Sequence, residues 1–86
     1  MKLDIITPER KIYEGDVYGI VVPGVEGYFE LLDNHAPIVA AIGNGKLKVL
    51  VDKTGNNSEE YKVSGGFVEM SSNKTMVLLE GAETIK

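Results

Sequence analysis

Apolar and polar side chains alternate in short runs along this chain, and turn-forming residues separate the runs. Residues 46–52 show the pattern best: Leu47, Val49 and Val51 share one face, while Lys46, Lys48 and Asp52 share the other. Residues 60–64 repeat it with Tyr61 and Val63 on one side. The same reading places strands at 3–6, 11–14, 16–22 and 28–32, the third weighted by β-branched Val17, Ile20, Val21 and Val22. Residues 37–42 read as a short strand or an irregular apolar segment, and residues 67–71 and 74–80 as a last hairpin turned at Ser72-Asn73. Gly43-Asn44-Gly45 predicts another hairpin, because Asn-Gly accepts the positive φ of a type I′ turn. Gly55-Asn56-Asn57 forms a polar tip, and Gly65-Gly66 permits a bulge or corner where a strand can cross between sheets. No segment sustains a helical apolar period, and no repeat or linker interrupts the chain. The pattern therefore predicts an all-β fold, a sandwich or small barrel of roughly nine or ten short strands, as one domain over residues 1–86.

Residues 22–41 break the alternation. They mix turn formers with large apolar side chains, as a loop does when it is pinned to a core or offered to a partner. Val22-Pro23-Gly24 predicts a tight turn, with Pro presetting φ and Gly accepting a positive one. Gly27 permits a second bend. Tyr28, Phe29, Leu31 and Leu32 then form an apolar run closed by Asp33-Asn34, and Pro37 holds Ala36 extended.

Composition narrows the function. Apolar residues are 43% and charged residues 26% of the chain, ordinary values for a globular protein. A net charge of −4 disfavours nucleic acid and direct adhesion to an anionic membrane. No apolar run is long enough to predict a membrane-crossing helix. Asp4 stands where a signal peptide needs its apolar core.

Candidate chemistry is sparse. There is no cysteine, so no thiolate nucleophile or disulfide is available, and one histidine, His35, excludes a histidine metal cluster. No serine sits in a G-x-S-x-G elbow, and Gly43-Asn44-Gly45-Lys46 lacks the spacing of a phosphate loop. Glu26, Glu30 and Asp33 lie close in sequence, and Glu26 and Glu30 read as exposed loop charges. Asn56-Asn57-Ser58 and Asn73-Lys74-Thr75 match glycosylation sequons but read as turn composition. No catalytic residue, cofactor or metal site is predicted. His35 suits a hydrogen bond to a backbone carbonyl or a partner contact, and the two are compatible. Val25 and Tyr28 read either as turn-flanking residues or as an exposed docking tip.

Four motifs together carry a resemblance. Ile6-Thr7-Pro8-Glu9-Arg10 near the start, Pro23-Gly24 with Glu26-Gly27, His35-Ala36-Pro37, and Val63-Ser64-Gly65-Gly66-Phe67-Val68-Glu69 resemble the N-terminal domain of epsilon subunits of rotary F-type ATP synthases, over essentially the whole chain. The resemblance implies a flattened all-β sandwich or barrel of about ten short strands, and a non-catalytic central-stalk subunit that couples rotation of the c-subunit ring to the gamma subunit and catalytic head. It implies a position on the cytoplasmic face of a bacterial inner membrane, with membrane association only through the complex. By motif, Val25, Glu26, Gly27 and Tyr28 would meet the polar loops of the c-ring, while Thr7, Asn34, His35, Ala36, Pro37 and Ala40 would lie toward gamma. Two positions depart from the family pattern: Tyr28 stands where an acid is common, and Asp33-Asn34 where Pro-Gly is usual. Asn34 tolerates the left-handed conformation a glycine would supply. The family's C-terminal helices have no counterpart in residues 81–86, so the expectation is a short form without helix-based inhibition or ATP sensing. The alternatives are a free-standing β-sandwich adaptor, a lipoyl-type carrier and a small hydrolase. Asp52-Lys53-Thr54 lacks the flanking pattern of a carrier lysine, and a hydrolase needs a substrate-sized cleft.

Overall fold

A computed structural model describes residues 1–85, so Lys86 lies outside the described residues. Eight strands form: β1 Lys2–Ile6, β2 Lys11–Asp16, β3 Gly19–Gly24, β4 Gly27–Leu32, β5 Ile38–Ile42, β6 Gly45–Leu50, β7 Ser58–Ser71 and β8 Lys74–Thr84. No helix occurs among the described residues. Hydrogen-bonded neighbours follow the order β2-β1-β8-β7-β5-β3-β4, with β6 pairing β3 and β7. All pairs are antiparallel except β1 with β8.

β7 and β8 organise the rest. The first half of β7 pairs with β6, from Gly45↔Val63 to Leu50↔Ser58. Its second half pairs with β5, from Ile38↔Met70 to Ile42↔Gly66. β8 follows β7 from Ser71↔Lys74 to Tyr61↔Thr84. Two layers result, β2-β1-β8-β7-β5 and β8-β7-β6-β3-β4, and the long hairpin belongs to both. Counting its strands once in each layer recovers the predicted number of short strands. The single bridge Gly24↔Ile42 joins the layers again on the far side.

The core lies between the layers. Leu3 and Ile5, Ile20 and Val22, Leu31, Leu47 and Val49, Val68 and Val77 are fully buried. Inward positions on β7 are odd-numbered in its first half, Tyr61 and Val63, and even-numbered in its second, Val68 and Met70. β8 changes phase in the same place, from Val77 and Leu79 to Ala82. The switch falls at Gly65, Gly66 and Gly81. A Cβ on Gly66 would stand 1.9 Å from the Leu78 carbonyl oxygen, so no side chain fits there. The Cα envelope measures 26 × 26 × 24 Å.

Three local expectations change. Val22-Pro23-Gly24 is not a turn but the end of β3, paired with Phe29, Tyr28 and Gly27. The Pro23 carbonyl accepts the Gly43 N–H at 2.7 Å and faces β5, as does the Val25 N–H. The missing proline N–H thus falls where β3 passes from β6 to β5 and no ladder bond needs it. The turn itself is Val25-Glu26, and Gly27 takes the positive φ, +128°. Gly43-Asn44-Gly45 is not a hairpin either, because β5 and β6 do not pair with each other. It is a corner that carries the chain along the same edge of β7 from one layer to the other, and the Asn44 side-chain oxygen accepts the Gly65 N–H at 3.3 Å across it. Finally, residues 60–64 and 67–71 fuse into the continuous β7. The Ser72-Asn73 turn is as predicted, with φ of +51° and +57°.

Gly66→Ala is expected to lower unfolding free energy by roughly 3 kcal/mol or more, because backbone must move. At Gly65 the nearest atoms are the flexible Glu80 carboxylate at 3.4 Å, and Gly65→Ala should cost under about 1 kcal/mol. Urea unfolding of the two variants measures the difference.

Candidate functional site: a projecting turn, a capped loop and an apolar sheet face

The β3–β4 turn projects from one corner. Val25 is 65% and Tyr28 61% exposed, large values for apolar side chains of this size. The turn is nevertheless fixed. The Val25 N–H donates to the Ala41 carbonyl at 3.2 Å, and the Tyr28 hydroxyl accepts the Lys46 N–H at 3.0 Å. Val25, Glu26, Gly27 and Tyr28 are thus brought together on one rigid tip beside the end of β5.

Residues 33–37 connect β4 to β5 at the opposite end of β5. Asn34 adopts φ of +66°, the left-handed conformation expected of it. Its N–H donates to the Asn73 side-chain oxygen at 2.7 Å, and the Asn73 amide donates to Asp33 at 3.1 Å. The Met1 ammonium, itself buried, donates to Asp33 and to the Val17 carbonyl, the latter at 2.8 Å. Hydrogen bonds from that ammonium and from Asn73 hold the Asp33 carboxyl below its ordinary value of 3.8. The His35 N–H reaches the Leu32 carbonyl at 3.0 Å and the ring Nδ1 lies 2.7 Å from the Ala36 carbonyl. His35, Ala36 and Pro37 remain exposed.

Thr7 and Ala40 stand apart from that loop. Thr7 is buried and engaged with its own turn: its N–H and hydroxyl both donate to the Arg10 carbonyl, at 3.0 and 3.1 Å. Ala40 faces inward against the core, and its neighbours Val39 and Ala41 face out.

Those outward neighbours reveal what the sequence reading missed. On the outer face of the first layer, cross-strand pairing sets Ala41, Phe67, Leu78 and Ile6 in one row. Phe67 is 57% and Leu78 44% exposed, and Val39 and Met76 lie in the adjacent row. Together these side chains form an apolar strip across four strands rather than scattered exposure. The signal was available: Phe67 and Leu78 sit on the outward phase of strands whose inward phase is already apolar.

No group of three or more His, Asp or Glu could hold a metal among the described residues. Tyr61 is pushed up to about 12 by burial and by its hydrogen bond to Glu59 at 3.0 Å, so it stays protonated inside the fold.

The whole is a two-layer β body with a projecting turn and an exposed apolar row on one face. The family model of the ATP synthase delta/epsilon chain beta-sandwich domain matches residues 1–85, and the chain belongs to that family. It is 39% identical to an ATP synthase epsilon chain of Chlorobium limicola, over 92% of this chain and 88% of that one. It is 40% identical to an epsilon chain of Leptospira interrogans over 93% of this chain, but spans 61% of that one. An epsilon chain of Propionigenium modestum described as sodium ion specific is 38% identical over 99% of this chain, which spans 60% of it. The fold also matches a chain in a Euglena gracilis mitochondrial ATP synthase structure, with TM-score 0.86 at 23% identity, over 95% of this chain and 51% of that one. A chain of the Tetrahymena thermophila mitochondrial ATP synthase central stalk and c-ring matches with TM-score 0.81 at 17% identity, over 96% and 65% of the two chains.

Asp33 supplies a pH prediction. Its folded value is depressed, so the stability it contributes is present above its unfolded value near 3.8 and is lost as pH falls through the lower folded value. The Asn34 amide, tied to Asn73, should lose protection relative to its intrinsic exchange rate as acid protonates Asp33. Asp33→Asn should show the lower protection already at neutral pH, as read by NMR.

Proposed function

We propose that this chain works as an epsilon-type central-stalk subunit of a rotary ATP synthase. It carries torque and performs no bond-making. The apolar row Ala41, Phe67, Leu78 and Ile6 is the observation that supports this most directly, because an isolated domain gains nothing by leaving it open. In this reading the row docks the gamma subunit. Thr7 supports its edge from beneath, Ala40 backs it from the core side, and Asn34, His35, Ala36 and Pro37 extend the contact along the far end of β5.

The tip Val25, Glu26, Gly27 and Tyr28 meets the polar loops of the c-ring. Tyr28 supplies apolar area and a hydroxyl already anchored to Lys46, and Glu26 supplies the charge. Ion flow turns the ring, and the domain passes that rotation to gamma because its two contact regions share β5 and its bonded neighbours. The chain would lie on the cytoplasmic face of a bacterial inner membrane, held there by the complex, as one domain over residues 1–86.

Phe67→Asp with Leu78→Asp should leave the fold intact and abolish co-purification with gamma; retained assembly would refute the docking face. In reconstituted vesicles, Glu26→Lys with Tyr28→Ala should reduce ATP-driven ion pumping several-fold relative to ATP hydrolysis. Equal pumping per ATP would remove the tip from the mechanism.

A further inference from the structure

Asp4 is the odd residue on the docking face. It lies on β1 between Leu3 and Ile5, both fully buried, so its side chain points to the outer face of the first layer. Yet Asp4 is only 7% exposed, and its Oδ1 is buried without a hydrogen-bond partner. Lys11 Nζ stands 3.7 Å from that oxygen, beyond hydrogen-bond reach, and is nearer to Glu14 at 3.3 Å. A carboxylate oxygen taken from water with a cation nearby but no donor has its desolvation only partly offset.

Its surroundings say what would complete it. Cross-strand pairing sets Glu14, Asp4, Met76, Glu69 and Val39 in one row, beside the row of Ile6, Leu78, Phe67 and Ala41. Three acids and one lysine, Lys11, thus border the apolar strip along one side. Lys2 and Lys74 lie on the same face one row further out. Lys11 is half exposed and already shared with Glu14, so it can give way.

We infer that the partner seated on this face carries a basic side chain next to its apolar contact surface, and that this cation docks at Asp4 with Glu69 flanking. The inference rests on the reading above that the face docks the gamma subunit, and it names the chemistry that subunit presents. An arginine suits the site best, because its fork of donors can serve a carboxylate that now has none.

The test is binding of the full chain to its own gamma-containing catalytic assembly stripped of epsilon, at low and high salt, with thermal melting of each variant. Asp4→Asn should melt at the same or a higher temperature than the parent, dock about tenfold more weakly at low salt, and lose most of the salt dependence. Glu69→Gln should show a smaller loss in the same direction, and Phe67→Ala should weaken docking at both salts. If Phe67→Ala weakens docking while Asp4→Asn binds like the parent, the inference fails and the docking reading stands. If Asp4→Asn lowers melting temperature and docking together, Asp4 is structural and the inference is overturned. If the parent chain does not bind the assembly, the docking reading falls and this inference with it.

Discussion

The fold depends on one close approach: the backbone of β7 at Gly66 against the backbone of β8 at Leu78. Only there can two strands built to bury one set of faces change phase and bury the other. Without that change, β7 would serve one layer, and β5 and β6 could not share its edge. The corner at residues 43–45 follows from the same event, since the chain must step from one layer to the other beside the bend. A single long hairpin therefore supplies both layers with a central pair of strands, and the small core is closed by short strands on either side.

Much of this was legible in the sequence. Alternation at Leu47 and Val49, and at Tyr61 and Val63, gave the inward phase, and Gly65-Gly66 gave the corner. The all-β class and the family resemblance stand. What misled was chemistry read locally. Pro23-Gly24 suits a turn, but Pro23 sits where a ladder bond is not needed and strand pairing wins. Gly43-Asn44-Gly45 suits a hairpin, but the flanking strands both prefer β7, a pairing distant in sequence that no local signal reports. The site divided similarly. The left-handed conformation of Asn34 was readable from its own chemistry. The outward phase of Phe67 and Leu78 was readable too, but the inward turn of Ala40 and the alignment of Ala41, Phe67, Leu78 and Ile6 in one row were not, because they depend on which neighbour each strand chooses.

The two proposed contact regions are held in place by bonds that can be named. Tyr28 is exposed yet held through Lys46, and Val25 through Ala41, so the tip cannot swing without breaking bonds into β5 and β6. At the other end of β5, Asn34 is held through Asn73, and Asn73 and the chain start both hold Asp33. A loop of ordinary composition would move freely at both places.

That stiffness bears on how the domain would work in a stalk. Torque applied at the tip reaches the apolar face only if the path between them does not yield. The path here is β5, bonded along one edge to β7 and touched at its end by the tip. Hydrogen-bonded strands resist shear along their length better than a packed loop does, because sliding breaks several ladder bonds together. An uncovered apolar row is costly for a free domain, since it invites self-association. Under the proposed docking to gamma, the same row would supply the area that keeps the domain seated while it turns, so the feature least favourable to the isolated chain is the one that proposal requires.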